Sequence, residues 1–311
     1  MGRLSKVQIL YFLKPKIIEV LEEHEKTVFN SKDITSVMKY CKDNLGLTMS
    51  TKIEEFINFL VENNILKEYI LLFENKEIKR YSLKTDLSIY ELALSIRKNA
   101  YLSHYTALYL NNLTNNVPKN IYINVEQTLK ENKNNILIQE NIDKAFSKDL
   151  RITKNIYKSK DNYSKIFALN GKYTNNKGVK YISHHDSVLP VTNIERTLID
   201  ITVRPQYAGG TTEVLNAFKM AKEKVSINKL NAMLRQLNYI YPYHQAIGLY
   251  MEKAGYSEKQ LNLLKKNPIK FNFYLTNNMK NPLFSHKWKI YYPRELTWFT
   301  SISFTRSTIW L

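Results

Sequence analysis

The run His184-His185-Asp186 is the most metal-like stretch of the chain, because imidazole and carboxylate groups are the usual protein ligands of zinc and manganese. The next histidine is His244, so a complete site would need distant ligands that no local spacing supplies. No metal and no cofactor is expected. Glu126, Glu140 and Asp186 are the carboxylates a metal-dependent nuclease could use, yet they follow no paired-carboxylate spacing. His104, in the first turn of a short helix behind Ser103, has no nucleophile and acid spaced to complete a triad, and is read as structural. Cys41, the single cysteine, excludes an internal disulfide and a cysteine zinc site. No catalytic residue is assigned.

The charge points toward anionic partners instead. The net charge is +18 over 311 residues, with the first 80 residues nearly balanced and the remainder carrying almost all of the excess. Such a field favours nucleic acid or an acidic protein, although a lysine- and asparagine-rich proteome gives the same number. Between 154 and 181, Lys154, Lys158, Lys160, Lys165, Lys172, Lys177 and Lys180 alternate with Tyr157, Tyr163, Tyr173 and Tyr181. That mixture suits single-stranded nucleic acid, and equally a solvated strand face whose rings pack inward. With 44 % hydrophobic residues, no run of about 18 apolar residues and no cleavable leader, a cytoplasmic protein with no membrane contact is expected.

Three helices and a hairpin must position the amino-terminal cations. Residues 14 to 26 spell a first helix, Ser31 caps a second with Ile34, Val37, Met38 and Cys41 inward, and Thr51 with Glu54 forms a capping box for a third. Ile53, Phe56, Ile57 and Leu60 repeat at helical spacing. Strand-like runs at about 66 to 73 and 78 to 83 follow, joined by a polar turn. This order predicts a winged helix-turn-helix over 1–87, whose third helix can enter a major groove. The DNA-contact candidates are Ser50, Thr51, Lys52 and Asn58 at the third helix, and Lys76, Lys79 and Arg80 in the wing. Glu54, Glu55 and Glu62 on the same helix repel phosphate, which leaves open a winged helix used for dimerisation or protein docking.

Beyond residue 88 the spacing predicts a mixed α/β domain over 88–311, with a break near 185–190 and a helical carboxy-terminal part. Strands are expected at RITKNIY, KIFAL, FNFYLT and around Trp288 to Tyr292, with a basic hairpin at 170–182 turning on Gly171 and Gly178. Ser226 and Ser257 cap later helices, and the terminal TWFTSISFTRSTIWL is unusually apolar. At the centre, Thr192 and Glu195 are placed as a capping box for a helix carrying Ile194, Leu198 and Ile201, in which Arg196 and Asp200 are four apart and can meet. Gly209-Gly210 then leads into a helix capped by Thr211 or Thr212.

The segments LSHYTALYLNNL, VTNIERTLID with RPQYAGG just after it, and EKAG, in that order behind the helix-turn-helix, resemble the AbiEi-like antitoxin family of type IV toxin-antitoxin systems. The resemblance spans most of the chain, and its motif positions fall on Ser103, His104, Glu195, Arg196, Thr197, Asp200, Gly209 and Gly210. It implies a non-enzymatic antitoxin that represses its own promoter by binding inverted repeats, as a monomer or homodimer. Its carboxy-terminal domain would counteract a nucleotidyltransferase-like toxin in phage defence by abortive infection, without a stable complex having to form. Within that domain Arg196 and Asp200 are either a polar network that fixes the fold or a functional surface.

Overall fold

The computed structural model describes residues 4–129, 136–160 and 164–300, the last three without their side chains. The chain has a mixed α/β architecture that begins with helices and strands and ends mostly helical. In chain order the elements are α1 (Lys6–Glu22), α2 (Ser31–Asn44), α3 (Ile53–Glu62), β1 (Lys67–Phe73), β2 (Lys76–Ser82), α4 (Ile89–Leu94), β3 (Tyr101–Leu102), α5 (His104–Leu110) and β4 (Asn120–Glu126). There follow α6 (Gln139–Phe146), β5 (Ile156–Ser159), β6 (Lys165–Gly171), β7 (Val179–His184), β8 (Ser187–Thr192), α7 (Ile194–Val203), α8 (Thr211–Ala221) and α9 (Ile227–Leu237). The last are α10 (Tyr243–Lys253), α11 (Glu258–Lys265), β9 (Phe273–Tyr274), β10 (Leu283–Ser285) and β11 (Ile290–Tyr292). Two compact units result: one holds residues 1–100 and 155–168, the other 101–154 and 169–311. The first unit thus includes β5 and the first residues of β6.

In the first unit, α1 starts earlier than its apolar face suggests. Ser5 and Gln8 close a capping box there, and Pro15 lies inside the helix. Asn30, not Ser31, caps α2, because its side chain accepts from both Lys32 and Asp33 N–H groups. The box expected at Thr51 and Glu54 sits one residue later: the Lys52 N–H donates to Glu55 Oε2 at 2.9 Å. Ile17, Leu21, Phe29, Ile34, Cys41, Phe56 and Leu60 form the core of this unit. Burial there pushes the Cys41 thiol up to about 11, which keeps it protonated and unreactive. The β1–β2 hairpin pairs from Lys67 opposite Ser82 to Phe73 opposite Lys76, and β5 pairs antiparallel to the other edge of β1.

In the second unit the strand order is β4-β3-β8-β7, with only β3 and β8 parallel. The hairpin expected at 170–182 is displaced: β7 pairs with β8, His184 opposite Ser187, so the turn is His185-Asp186. Pro190 hid β8, since proline breaks a strand pattern. Helices α7 to α11 pack on a core that includes Leu198, Phe218, Leu234, Tyr250 and Trp288, with a small β10-β11-β9 sheet beside α10. No described helix is long and apolar enough to cross a membrane. The apolar segment from 301 and Tyr163 lie outside the described residues.

Candidate functional site

Three lysines converge on the start of α3. Lys52 occupies the cap position and is exposed. Lys6 Nζ donates to the Ser50 carbonyl at 3.0 Å, and Lys42 Nζ to the Thr51 carbonyl at 2.8 Å. Lys6 and Lys42 come from α1 and α2, so local spacing around α3 does not reveal them. A helix start already attracts anions through its free N–H groups and dipole, and the three ammonium groups add to that field. Glu55 is less of an obstacle than its charge suggests. The Lys52 N–H and Lys6 hold its carboxyl below the usual carboxylate range and so keep it ionised, but the Lys6 ammonium at 3.6 Å offsets that charge. Glu54 and Glu62 remain exposed.

The remaining candidates of this unit separate. Ser50 and Asn58 are exposed, but Thr51 is only 3 % exposed and its hydroxyl has no hydrogen-bond partner among the described residues. With the cap at Lys52, Thr51 belongs to the buried side of the loop. Lys76 is exposed at the hairpin tip. Lys79 pairs with Glu68 at 3.0 Å across the hairpin. Arg80 is turned inward: Nε and Nη2 donate to the Ser95 carbonyl at 3.3 and 3.2 Å, and Nη1 to the Lys79 carbonyl at 2.9 Å. It therefore serves the hairpin's seat on the segment after α4.

In the second unit the motif residues build a buried network. Asn193 rather than Thr192 caps α7, accepting from the Arg196 N–H, which frees Thr192 to bond Thr197 at 2.8 Å inside the core. Glu195 accepts from the Ser226 N–H at 3.1 Å and so ties α7 to the start of α9. Arg196, 3 % exposed, donates from Nε to Asp200 Oδ1 at 2.8 Å, from Nη1 to Thr174 Oγ1 and the Lys177 carbonyl, and from Nη2 to the Tyr101 hydroxyl. Burial opposes the guanidinium charge, but the Asp200 carboxylate more than offsets this and raises its pKa. Tyr101 in turn donates to Glu126 and accepts from Asn124. Burial disfavours the Glu126 charge, yet hydrogen bonds from the Thr174 hydroxyl and N–H and the Asn176 N–H hold its pKa below the usual range. Gly178, at φ +78°, lies so close that a Cβ there would sit 2.7 Å from that of Arg196.

Ser103 and His104 form a contact that sequence spacing alone did not suggest, Oγ to Nδ1 at 2.9 Å. Ser103 is inaccessible, and His104 takes a left-handed backbone, φ +50°, with its ring edge-on to Tyr207. Burial, reinforced by Arg204 and Arg196, lowers the imidazole pKa to about 3. Among the described residues no acid side chain bonds this buried serine–histidine pair. Gly209 lies against Glu213 and Tyr105, and Gly210, at φ +93°, caps α8 in place of the threonines. His184 and His185 touch edge-on at the β7–β8 turn, and among the described residues no three metal-ligating side chains gather. The basic run between 154 and 181 divides between the two units, with Tyr157 stacked on Phe73 and Tyr181 exposed.

No protein-family description matches this chain, and no curated protein matches it. Among solved structures, the RV2827C protein from Mycobacterium tuberculosis is similar at a TM-score of 0.55 and 11 % identity, covering 94 % of this chain and 92 % of that one. At that identity the likeness speaks to the fold alone.

Proposed function

We propose that the chain is a DNA-binding repressor of the antitoxin type, in which the first unit acts as a winged helix. The observation that carries the reading is the convergence of Lys6, Lys42 and Lys52 on the amino terminus of α3. A recognition helix entering a major groove leads with that end, and phosphates flank it there. Lys76 at the tip of the β1–β2 hairpin supplies the wing contact. In this reading the second unit counteracts a nucleotidyltransferase-like toxin, with support from the antitoxin-like sequence motifs around Arg196 and Gly209. The Arg196–Asp200–Tyr101–Glu126 network then serves to hold the 174–178 loop on α7 rather than to touch a partner.

The exposed Glu54 and Glu62 favour a second reading, a winged helix that docks on a basic protein surface. Titration of the purified protein with the duplex upstream of its own gene and with a scrambled duplex, at low and near-physiological salt, separates the two. Preference for the upstream duplex that persists at the higher salt supports repression, and equal weak binding to both refutes it.

A further inference from the structure

The second unit contains an open cleft of about 880 Å³, at the upper end of the size range of small-molecule sites. Its charged lining is all of one sign: Arg151, Lys172 and Arg204, with no carboxylate among the lining residues. Arg151 is exposed and Arg204 half-buried, and neither side chain has a hydrogen bond or ion pair among the described residues. Lys172 is anchored, its Nζ donating to the carbonyls of Leu237 and Asn238 at 2.9 and 2.6 Å, so its charge is fixed at the cleft wall. Asp200 lines an adjoining cavity of about 80 Å³ and is engaged by Arg196.

Tyrosines supply part of the remaining wall. Tyr239 and Tyr241 come from the connection between α9 and α10, and Tyr243 opens α10 behind its cap residue Pro242. Their rings brace one another edge-on, Tyr239 to Tyr243 at 5.4 Å and Tyr241 to Tyr243 at 6.3 Å, and Tyr241 is further held edge-on by Phe146 at 5.4 Å. All three are half-buried; Lys172 Nζ lies over the Tyr239 ring at 5.7 Å, and Tyr241 is stacked on Phe273 at 6.3 Å. Gln206 also lines this wall, but its side-chain oxygen is shielded from solvent and does not face the cleft. Two arginines without bonds, a lysine fixed at the wall and a cluster of tyrosine rings are the contacts that recognise phosphate and base plane.

We propose that this cleft binds a nucleoside phosphate, with Arg151, Lys172 and Arg204 on the phosphate and Tyr239, Tyr241 and Tyr243 against the base. An acidic peptide would use the cations but leave the ring faces idle, which is why the nucleotide is the better fit. The ligand is either a free nucleotide or one nucleotide of a single strand, since both offer the same chemistry. The site is independent of duplex binding by the first unit.

The test uses the full chain and fluorescence anisotropy of a 5′-labelled hexauridylate at near-physiological salt, with adenosine 5′-monophosphate, adenosine and inorganic phosphate as competitors. Arg151→Glu and Arg204→Glu should each weaken binding about ten-fold or more, as expected for loss of a charge-assisted contact. Tyr241→Leu should weaken it by about five-fold or more. Arg151 is exposed and unbonded, so its variant keeps the test valid if Tyr241→Leu fails to fold. Competition by the monophosphate identifies a free nucleotide as sufficient, whereas binding of the hexamer alone identifies a strand; either supports the site. Inorganic phosphate competing as well as the monophosphate, absence of binding, or binding indifferent to both arginine reversals would overturn it.

Discussion

Arg196 Nε and Asp200 Oδ1 meet at 2.8 Å one turn apart on α7, and both side chains are buried. The pair is completed by Thr174, Lys177 and Tyr101, so every face of the guanidinium is used. Removing one partner strands the other charge in the core. Arg196→Met should therefore lower the unfolding free energy by about 3–5 kcal/mol, and Arg196→Met with Asp200→Leu should recover much of that loss. Urea unfolding of the three proteins checks this. A double variant no better than the single would show that the hydrogen bonds to the 174–177 loop, not the ion pair, carry the cost.

His104 makes the fold sensitive to acid. Its folded pKa, about 3, lies below the ordinary 6.5, so the unfolded chain binds the proton more readily between those values. Its contribution is fully present above pH 6.5 and is lost as pH falls toward 3, at up to about 1.4 kcal/mol per pH unit. Glu126, whose folded pKa is also depressed, loses its contribution in the acid range as well, as pH falls through that value. His104→Asn, which tolerates the left-handed backbone, should flatten the thermal midpoint against pH between 6.5 and 4.5. An unchanged slope would assign the acid sensitivity to other groups.

The two wing cations should behave differently. Arg80 is spent on the Ser95 carbonyl, whereas Lys76 is exposed. Arg80→Ala is expected to cost about 1–3 kcal/mol of stability, from lost hydrogen bonds and an unpaired carbonyl. Its DNA affinity, measured where the variant is fully folded, should stay near that of the parent protein. Lys76→Ala should leave stability intact and weaken duplex binding by about two- to five-fold. The reverse assignment in calorimetry and binding would place the wing contact at Arg80.

Much of the local structure is legible in the sequence because apolar periodicity reports burial directly. Ile34, Val37, Met38 and Cys41 on α2, and Phe56 and Leu60 on α3, are buried as their spacing predicts. Ser226 and Ser257 cap their helices for the same local reason. The misplaced helix starts share one cause. At Ser31, Thr51 and Thr192 the neighbouring residue also competes for the cap, and local spacing does not choose between them. Side-chain bonds within each helix start decide it: Thr192 is taken by Thr197, and the Lys52 N–H by Glu55. The gathering of Lys6 and Lys42 at α3, and of Arg151, Arg204 and Tyr241 around one cleft, depends on long-range packing that spacing does not encode.

The repressor reading rests on the start of α3, and the salt dependence of duplex binding by the parent protein and Lys52→Glu measures it most directly. For the duplex upstream of its gene, the substitution should weaken binding at least ten-fold. It should also reduce the magnitude of the slope of log affinity against log salt by about 1, the signature of one lost phosphate contact. An unchanged affinity and slope would contradict placement of this helix end against DNA and favour the protein-docking reading of the acidic α3 face.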